Sequence, residues 1–415
     1  MPQVWSGRDT LKRKISIVAV LVCLFAGLLG PSLVRAQSGV VLPVPAVVQT
    51  DNPISLQSST AQVDFPLKLT FSLLARSDVN ITDIRLRYTF DRESFANVFG
   101  ESFIQFTPSQ LVQTSWVMNM QQIGGLPPGT TVNFWWMIKD ADGNVLETDP
   151  QQVDFSDNRY QWQSMTQNTV TLYWYSGDNS FASQLMTEAQ SALTRLEGNT
   201  GATLTRPIRI YIYASSQDLQ GSMIFPAEWT GGVAFPEYGI IAIGISPSNL
   251  AWGIRATAHE ITHLVIHQAT LNPYNSLPTW LDEGLAVYNE GPADPAFTNL
   301  LKQAIANNQL ITMQSLASPF SAYSNEASLS YAESYSFVDY LISTYGQGKM
   351  LELLNTFKQG STYDGAFEKV YGFNMNELYV LWKAKVTSST SASLPLPAPS
   401  GRILAMSSLA SGWGW

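Results

Sequence analysis

The hydrophobic rhythm of the chain changes near residue 160. Between residues 63 and 155 apolar and polar side chains alternate in short runs, as in Leu67-Lys68-Leu69-Thr70-Phe71-Ser72 and Ile84-Arg85-Leu86-Arg87-Tyr88-Thr89. A period of two sends every second side chain to one face, so these runs predict half-buried strands. Thr131-Val132-Asn133-Phe134-Trp135-Trp136-Met137 adds β-branched and aromatic residues, and Pro127-Pro128-Gly129 and Asp140-Ala141-Asp142-Gly143-Asn144 supply turns. Short strands at this spacing predict a β-sandwich over residues 63–156. Residues 156–168 read as a polar junction, after which the pattern mixes α and β. Strands are predicted at 170–175, 208–213 and 240–243. An amphipathic helix is predicted at 180–197, with Leu185, Ala189, Leu193 and Leu196 inward. Ser246 and Pro247 open a further helix with a capping hydroxyl and a first-turn proline. That helix runs to about residue 270, before Asn272-Pro273. Another follows at 279–289, and helical segments continue from 296 to about 382.

The fold class expected is therefore α+β, with an N-terminal β-sandwich followed by an α+β domain at 168–386. At the level of strand pattern the first domain resembles an immunoglobulin-like or fibronectin type III module, and the plain reading for it is a spacer without a site of its own. Residues 37–62 are rich in Pro, Val and Ser and read as an extended leader; residues 387–415 read as a low-complexity tail. There is no internal repeat.

Residues 1–36 read as an export signal. Arg8, Lys12, Arg13 and Lys14 precede an apolar run at 15–29, and Val34-Arg35-Ala36 offers a cleavage site after Ala36. The run of about 15 residues is short for a span of about 20, so cleavage is favoured over an uncleaved anchor. Membrane association is expected only through that anchor, and the location expected is secreted or extracytoplasmic. The chain carries 23 basic and 32 acidic residues, a net charge of −9. Removing residues 1–36 takes away five basic residues and one acidic one, leaving 18 against 31, or about −13. Such a chain is not built to hold nucleic acid. The one cysteine, Cys23, lies in the signal, so the mature chain has no disulfide and must be held by its cores or by a metal.

All three histidines among 415 residues fall within nine positions, His259, His263 and His267. The first two frame His259-Glu260-Ile261-Thr262-His263. On a helix, side chains four apart share a face with Cβ atoms about 5–6 Å apart, so two imidazoles can converge on one zinc ion. Glu260 between them is suited to act as general base on water activated by that metal. A catalytic zinc takes three protein ligands, and three residues could complete the set. His267 lies about 12 Å along the helix from His259, beyond reach of a metal held by the first pair. A metzincin arrangement would need a histidine ten residues after His259, where Ala269 stands. Glu283 and Asp282 lie on the next predicted helix, after a loop at 271–277 able to turn the chain back.

The segment Pro278-Thr279-Trp280-Leu281-Asp282-Glu283-Gly284-Leu285-Ala286 makes the chain similar to the gluzincin metallopeptidases, whose His-Glu-x-x-His is followed some twenty residues on by Trp-Leu-x-Glu-Gly. Here Glu283 lies 20 residues after His263. The likeness spans roughly 170–385 and is greatest to the minimal peptidase MA-like domains of exported bacterial proteins; the stretch 331–341, Tyr345-Gly346, Val370-Tyr371-Gly372 and Trp382 fit the same group. The resemblance implies a zincin-like fold, Zn2+ held by His259, His263 and Glu283, and Asp282 at the variable position. It further implies Glu260 as base and a tyrosine donor to the oxyanion, Tyr331 before Tyr335. It also implies that the strand at 240–243 is the edge that pairs with extended peptide. Two departures matter. The aminopeptidase segment Gly-x-Met-Glu-Asn is not matched by Gly231-Gly232-Val233-Ala234-Phe235-Pro236-Glu237, which favours an endopeptidase. The position four after Glu283 is Val287, so the outer carboxylate that orients a ligand histidine in thermolysin-like enzymes must come from elsewhere or be missing.

The function expected is an exported zinc-dependent peptidase acting on peptide or protein. Two other readings stand beside it: a non-catalytic surface protein with a structural metal core, against which Glu260 counts, and a zinc hydrolase acting on a non-peptide bond. Oligomeric state is not legible.

Overall fold

The computed structural model describes residues 19–21, 52–226, 230–321 and 324–392. The cleavage site after Ala36, the leader as far as residue 51 and the tail from residue 393 lie outside the described residues. Of the apolar N-terminal run, a short strand β1 (Ala19–Leu21) is described.

The N-terminal module holds β2 (Ser55–Asp64), β3 (Lys68–Phe90), β4 (Gly100–Phe103), β5 (Ser109–Asn119), a helical turn α1 (Met120–Ile123), β6 (Thr130–Asp140), β7 (Val145–Glu147) and β8 (Gln151–Phe155). The first half of β3 pairs antiparallel with β2 and β5, and its second half with β4 and β6; β7 and β8 then pair with β6. The two halves face each other across one apolar core. Phe71 packs on Phe134 at 4.8 Å and Phe65 on Phe155 at 5.0 Å. The indole of Trp136 donates to Ser59 Oγ across the layers at 3.0 Å. An immunoglobulin-like sandwich keeps two separately bonded sheets, whereas here the 23 residues of β3 belong to both layers and bond all seven strands into one sheet. The module also starts earlier than its alternation suggested. β2 opens at Ser55 on Ser, Thr and Gln side chains, and only Ser59, Ala61 and Val63 along it are buried.

The second domain is built on a six-stranded sheet: β9 (Gln163–Gln167), β10 (Val170–Trp174), β11 (Ile208–Tyr213), β12 (Thr230–Phe235) and β13 (Ile240–Gly244), with β1 at one edge. Their order is β1-β12-β13-β11-β10-β9. β10, β11 and β13 run parallel, and β9 and β12 antiparallel to them. α2 (Asn179–Thr200) makes the crossover from β10 to β11, capped by Asp178 and closed by the left-handed Gly201. Two strands fall where a loop was expected. β9 has no apolar alternation; it forms because Asn168, at φ 52°, turns it back onto β10. β12 is glycine-rich and is held by pairing with β13.

The strand at 240–243 is therefore not the edge strand expected: β13 sits between β11 and β12 with all five residues buried. The reason is legible afterwards, since Ile-Ile-Ala-Ile-Gly offers no polar face to water and suits a strand covered on both sides. On the side beyond β13 lies β12, flanked in turn by β1.

After the short α3 (Ser216–Gln220), one helical layer follows: α4 (Leu250–Thr270), α5 (Thr279–Asn289), α6 (Pro295–Ala306), α7 (Met313–Leu316), α8 (Ser324–Tyr345), α9 (Gln347–Lys358), α10 (Tyr363–Tyr371) and α11 (Met375–Ala392). α4 is preceded by a 3-10 turn at Pro247–Asn249, over which Ser246 accepts a bond from the Ser248 amide. One face of the sheet, with Leu172, Ile210, Ile241 and Ile243, shares a core with Leu185, Leu264, Leu281, Phe337 and Trp382 from the helices. The other face carries aromatic residues, among them Tyr211, Tyr213 and Trp162. No described helix is long and apolar enough to cross a membrane.

Candidate metal centre

α4 packs its buried middle against α5, and the loop at 271–278 reverses the chain between them. The 3.6-residue period puts His259 and His263 on one face of α4. α5 opposes that face with Glu283, which lies in its second turn. The three side chains bring one potential ligand atom each to within 4.8 Å of one another. His259 Nε2 and His263 Nε2 stand 3.4 and 3.5 Å from the same Glu283 oxygen. These three atoms are buried without a hydrogen-bond partner. Such groups are costly to leave unsatisfied, and two imidazole nitrogens with a carboxylate oxygen are the donor set of a catalytic zinc site. The residues fit the metal. His267 is not in the cluster. It lies two turns on, mostly buried, with its proton affinity lowered by burial and with Asp282, Glu93 and Glu237 for charged neighbours.

Burial governs the electrostatics. His259, Glu260, His263 and Glu283 are only 1–3% exposed. Burial pushes the Glu260 carboxyl up to about 7, against the pull of the two histidines. Burial also pushes on Glu283, but the charge of His263 and the nearness of both imidazoles, 3.4 and 3.5 Å away, outweigh it and hold that carboxylate down at about 2. Burial disfavours the charged His259 ring, yet the adjacent Glu283 carboxylate and the bond to Glu290 prevail and raise it to about 9. His263 is likewise raised, burial being outweighed by Asp282 and Glu283.

Each histidine has a carboxylate behind it. His259 Nδ1 lies 2.8 Å from Glu290 Oε1, and His263 Nδ1 stands 3.2 Å from Asp282 Oδ2. Outer carboxylates of this kind set which ring nitrogen faces a metal. The place four after Glu283 is empty of acid, as the sequence showed, but Glu290 stands seven after it. Seven residues are two turns of helix and return to the same face, so the spacing was the available signal. Gly232 is a second residue missed: a Cβ there would meet Glu260 Oε1 at 2.6 Å. β12 thus runs directly against the glutamate, and any Cβ there would make the Glu260 carboxylate give way.

Of the two tyrosines singled out, Tyr331 on α8 lies near the histidines, its ring 6.5 Å from that of His259 and 5.2 Å from Phe320. Tyr335, one turn on, packs on Tyr288 instead.

Two buried imidazoles from one helix and a buried carboxylate from the next form a cluster that could hold a metal ion. Residues 188–388 match the family model described as the Peptidase MA superfamily; that match and the His259, His263 and Glu283 cluster support a zinc metallopeptidase, a class whose substrates are peptides or proteins. Among solved structures it is similar to an M1 zinc metallopeptidase from Deinococcus radiodurans at 9% identity and a TM-score of 0.33, covering 77% of this chain and 90% of that one. A mutant of that enzyme gives 9% identity, a TM-score of 0.34 and the same coverage. A polysaccharide deacetylase from Bacillus cereus follows at 10% identity and a TM-score of 0.20, covering 49% of this chain and 66% of that one. These likenesses are distant, and the family match and the donor set carry the assignment. No curated protein sequence matches the chain.

Proposed function

We propose that this protein is an exported endopeptidase in which His259, His263 and Glu283 hold zinc, Glu260 is the general base and Tyr331 donates to the oxyanion. The observation that carries the reading is the convergence of three buried, unpartnered ligand atoms beside the buried Glu260 carboxyl. Zinc held there supplies Lewis acidity to the attacking water and to the scissile carbonyl. Glu260 removes a proton from that water and passes it to the leaving amine; a carboxyl pushed up to about 7 is suited to both steps near neutral pH. The Tyr331 phenol, its ring 6.5 Å from that of His259, stabilises the developing oxyanion.

Release after Ala36 removes β1 and leaves β12 at the sheet edge, where extended substrate pairs with it along the backbone that passes Glu260 at Gly232. The β12 sequence Thr-Gly-Gly-Val-Ala-Phe carries no carboxylate to hold a free amino terminus. The nearby Glu237 is half exposed and paired with Arg92 at 3.3 Å, which favours cleavage within a chain over removal of its first residue. The basic and apolar N-terminal segment supports export, with release after Ala36 to a secreted or extracytoplasmic location.

The test is to purify the protein, measure its bound metal, and follow cleavage of an unfolded protein and of an N-terminally acetylated peptide by wild type and Glu260→Gln. The expected result is about one zinc per chain, internal cleavage by wild type, and a rate lower by about 10²–10⁴ in Glu260→Gln with zinc retained. A wild type that binds no zinc, or cleavage that survives loss of Glu260, overturns the reading. Cleavage confined to peptides with a free amino terminus overturns the endopeptidase part.

A further inference from the structure

Arg255 stands four residues before His259 on α4, so the two side chains leave the same face one turn apart. Its guanidinium grips both ends of the connection from α5 to α6. Nε donates to Glu290 Oε2 at 2.9 Å and Nη2 stands 2.9 Å from the same oxygen. Nη1 donates to Asp294 Oδ2 at 3.0 Å. The other oxygen of Glu290 is the one 2.8 Å from His259 Nδ1.

Glu290 is the C-cap of α5, followed by Gly291 at φ 119°. A side chain at a helix end before a glycine has little else to define its direction. Asp294 is the N-cap of α6, its carboxylate accepting from the Ala296 amide. Arg255 therefore joins one fixed carboxylate to a second that needs fixing, and the second bears on the ring of His259.

We propose that Arg255 is a positioning residue for the metal site: by clamping Glu290 it holds the His259 ring with Nδ1–H directed at Glu290 and Nε2 directed at Glu283 and the metal. The planar guanidinium can engage two carboxylates in fixed directions, which a lysine cannot do to the same degree. The inference rests on His259 being a zinc ligand.

The test uses the full-length protein and reads zinc affinity by chelator competition, with the visible spectrum of the cobalt-substituted protein as a measure of ligand geometry. Arg255→Ala and Glu290→Gln are each expected to weaken zinc binding by about 10–100-fold and to alter the cobalt spectrum. Arg255→Lys should recover part of the loss. The double variant should bind zinc no worse than the weaker single one, because both act through one contact. Asp294→Asn removes charge from the other end of the clamp but leaves Arg255 on Glu290, and should change zinc affinity less than about twofold.

Zinc affinity unchanged in Arg255→Ala overturns the proposal. So does a double variant whose losses multiply. Loss in Asp294→Asn as large as in Arg255→Ala shows a helix staple only, and also overturns it. If Arg255→Ala does not fold, the contrast between Arg255→Lys and Asp294→Asn decides in the same way. A wild type that binds no zinc defeats the function proposed above. A wild type whose zinc is lost in His259→Ala but kept in Arg255→Ala defeats this inference alone.

Discussion

Gly232 governs where the Glu260 carboxyl can sit, because β12 passes too close for any Cβ. Gly232→Ala is expected to displace Glu260 by a fraction of an ångström to an ångström, and misplacement of that size costs about 10²-fold in rate. The expected outcome is a fall of that order in kcat with bound zinc unchanged, read by steady-state cleavage and metal analysis. A fall in zinc content instead would show that the ligands moved. The titrations near the site make a second prediction. In the metal-free protein His259 is raised to about 9, so below that pH metal binding must displace its proton. Zinc affinity should therefore rise steeply with pH between about 6 and 9, as read by chelator competition; a flat profile would contradict it. The sign of the stability effect is opposite. A raised histidine stabilises the metal-free fold fully below its unfolded value of 6.5 and ceases to as pH rises through about 9.

Helices α5 and α8 meet through Gly284, where a Cβ would lie 2.5 Å from the Ser334 carbonyl oxygen and 2.8 Å from Val338 Cγ2. Backbone cannot yield as a flexible side chain can, so Gly284→Ala should push the helices apart and destabilise the protein by ~1–3 kcal/mol. Because Glu283 adjoins it, zinc affinity should fall in the same variant; thermal melting and chelator competition check both. On the opposite side of α8, Glu333 is fully buried, with Oε1 accepting the Ile311 amide at 3.0 Å and Oε2 without a partner. Burial pushes it up to about 8. Its stabilising, protonated form is complete below the ordinary carboxyl value of 4.5 and is lost as pH rises through about 8. Glu333→Gln keeps an oxygen for Ile311 and cannot ionise, so it should melt higher than wild type above pH 8 and differ little near pH 5. Equal melting at both would contradict this. At this scale the reading from sequence was uneven for a physical reason. α4 and α5 announce themselves through period, capping and proline, which are local. β9 and β12 have neither alternation nor an apolar run, and exist because a neighbouring strand supplies their hydrogen bonds.

The two domains meet at the turn Pro127-Pro128-Gly129. Arg209 Nη1 donates to the Gly129 carbonyl at 2.6 Å, and Gly129, at φ 76°, lies against the Tyr211 hydroxyl with no room for a Cβ. Arg92 with Glu237 and Arg206 with Asp91 add exposed ion pairs across the same boundary, each worth little. Gly129→Ala combines a left-handed backbone with a steric clash, and should destabilise by ~1–3 kcal/mol and loosen the module. Limited proteolysis near residues 156–162 would register the loosening, and unchanged resistance would argue that the domains are joined elsewhere. The boundary was visible in sequence only as a polar junction, since a surface shared by two domains has no period of its own. The sequence alone determined what is local. Helical spacing put the two histidines on one face, and the Trp-Leu-x-Glu-Gly segment pointed to the third member. Tertiary structure decided what depends on distance through space. It gave His259 its carboxylate from Glu290 and its clamp from Arg255. It laid Gly232 against Glu260, and it took β13 from the sheet edge to the interior. These contacts join residues 28 to 35 positions apart or lie between neighbouring strands, where only the packing of helices on a sheet, and not any repeat along the chain, can bring them together.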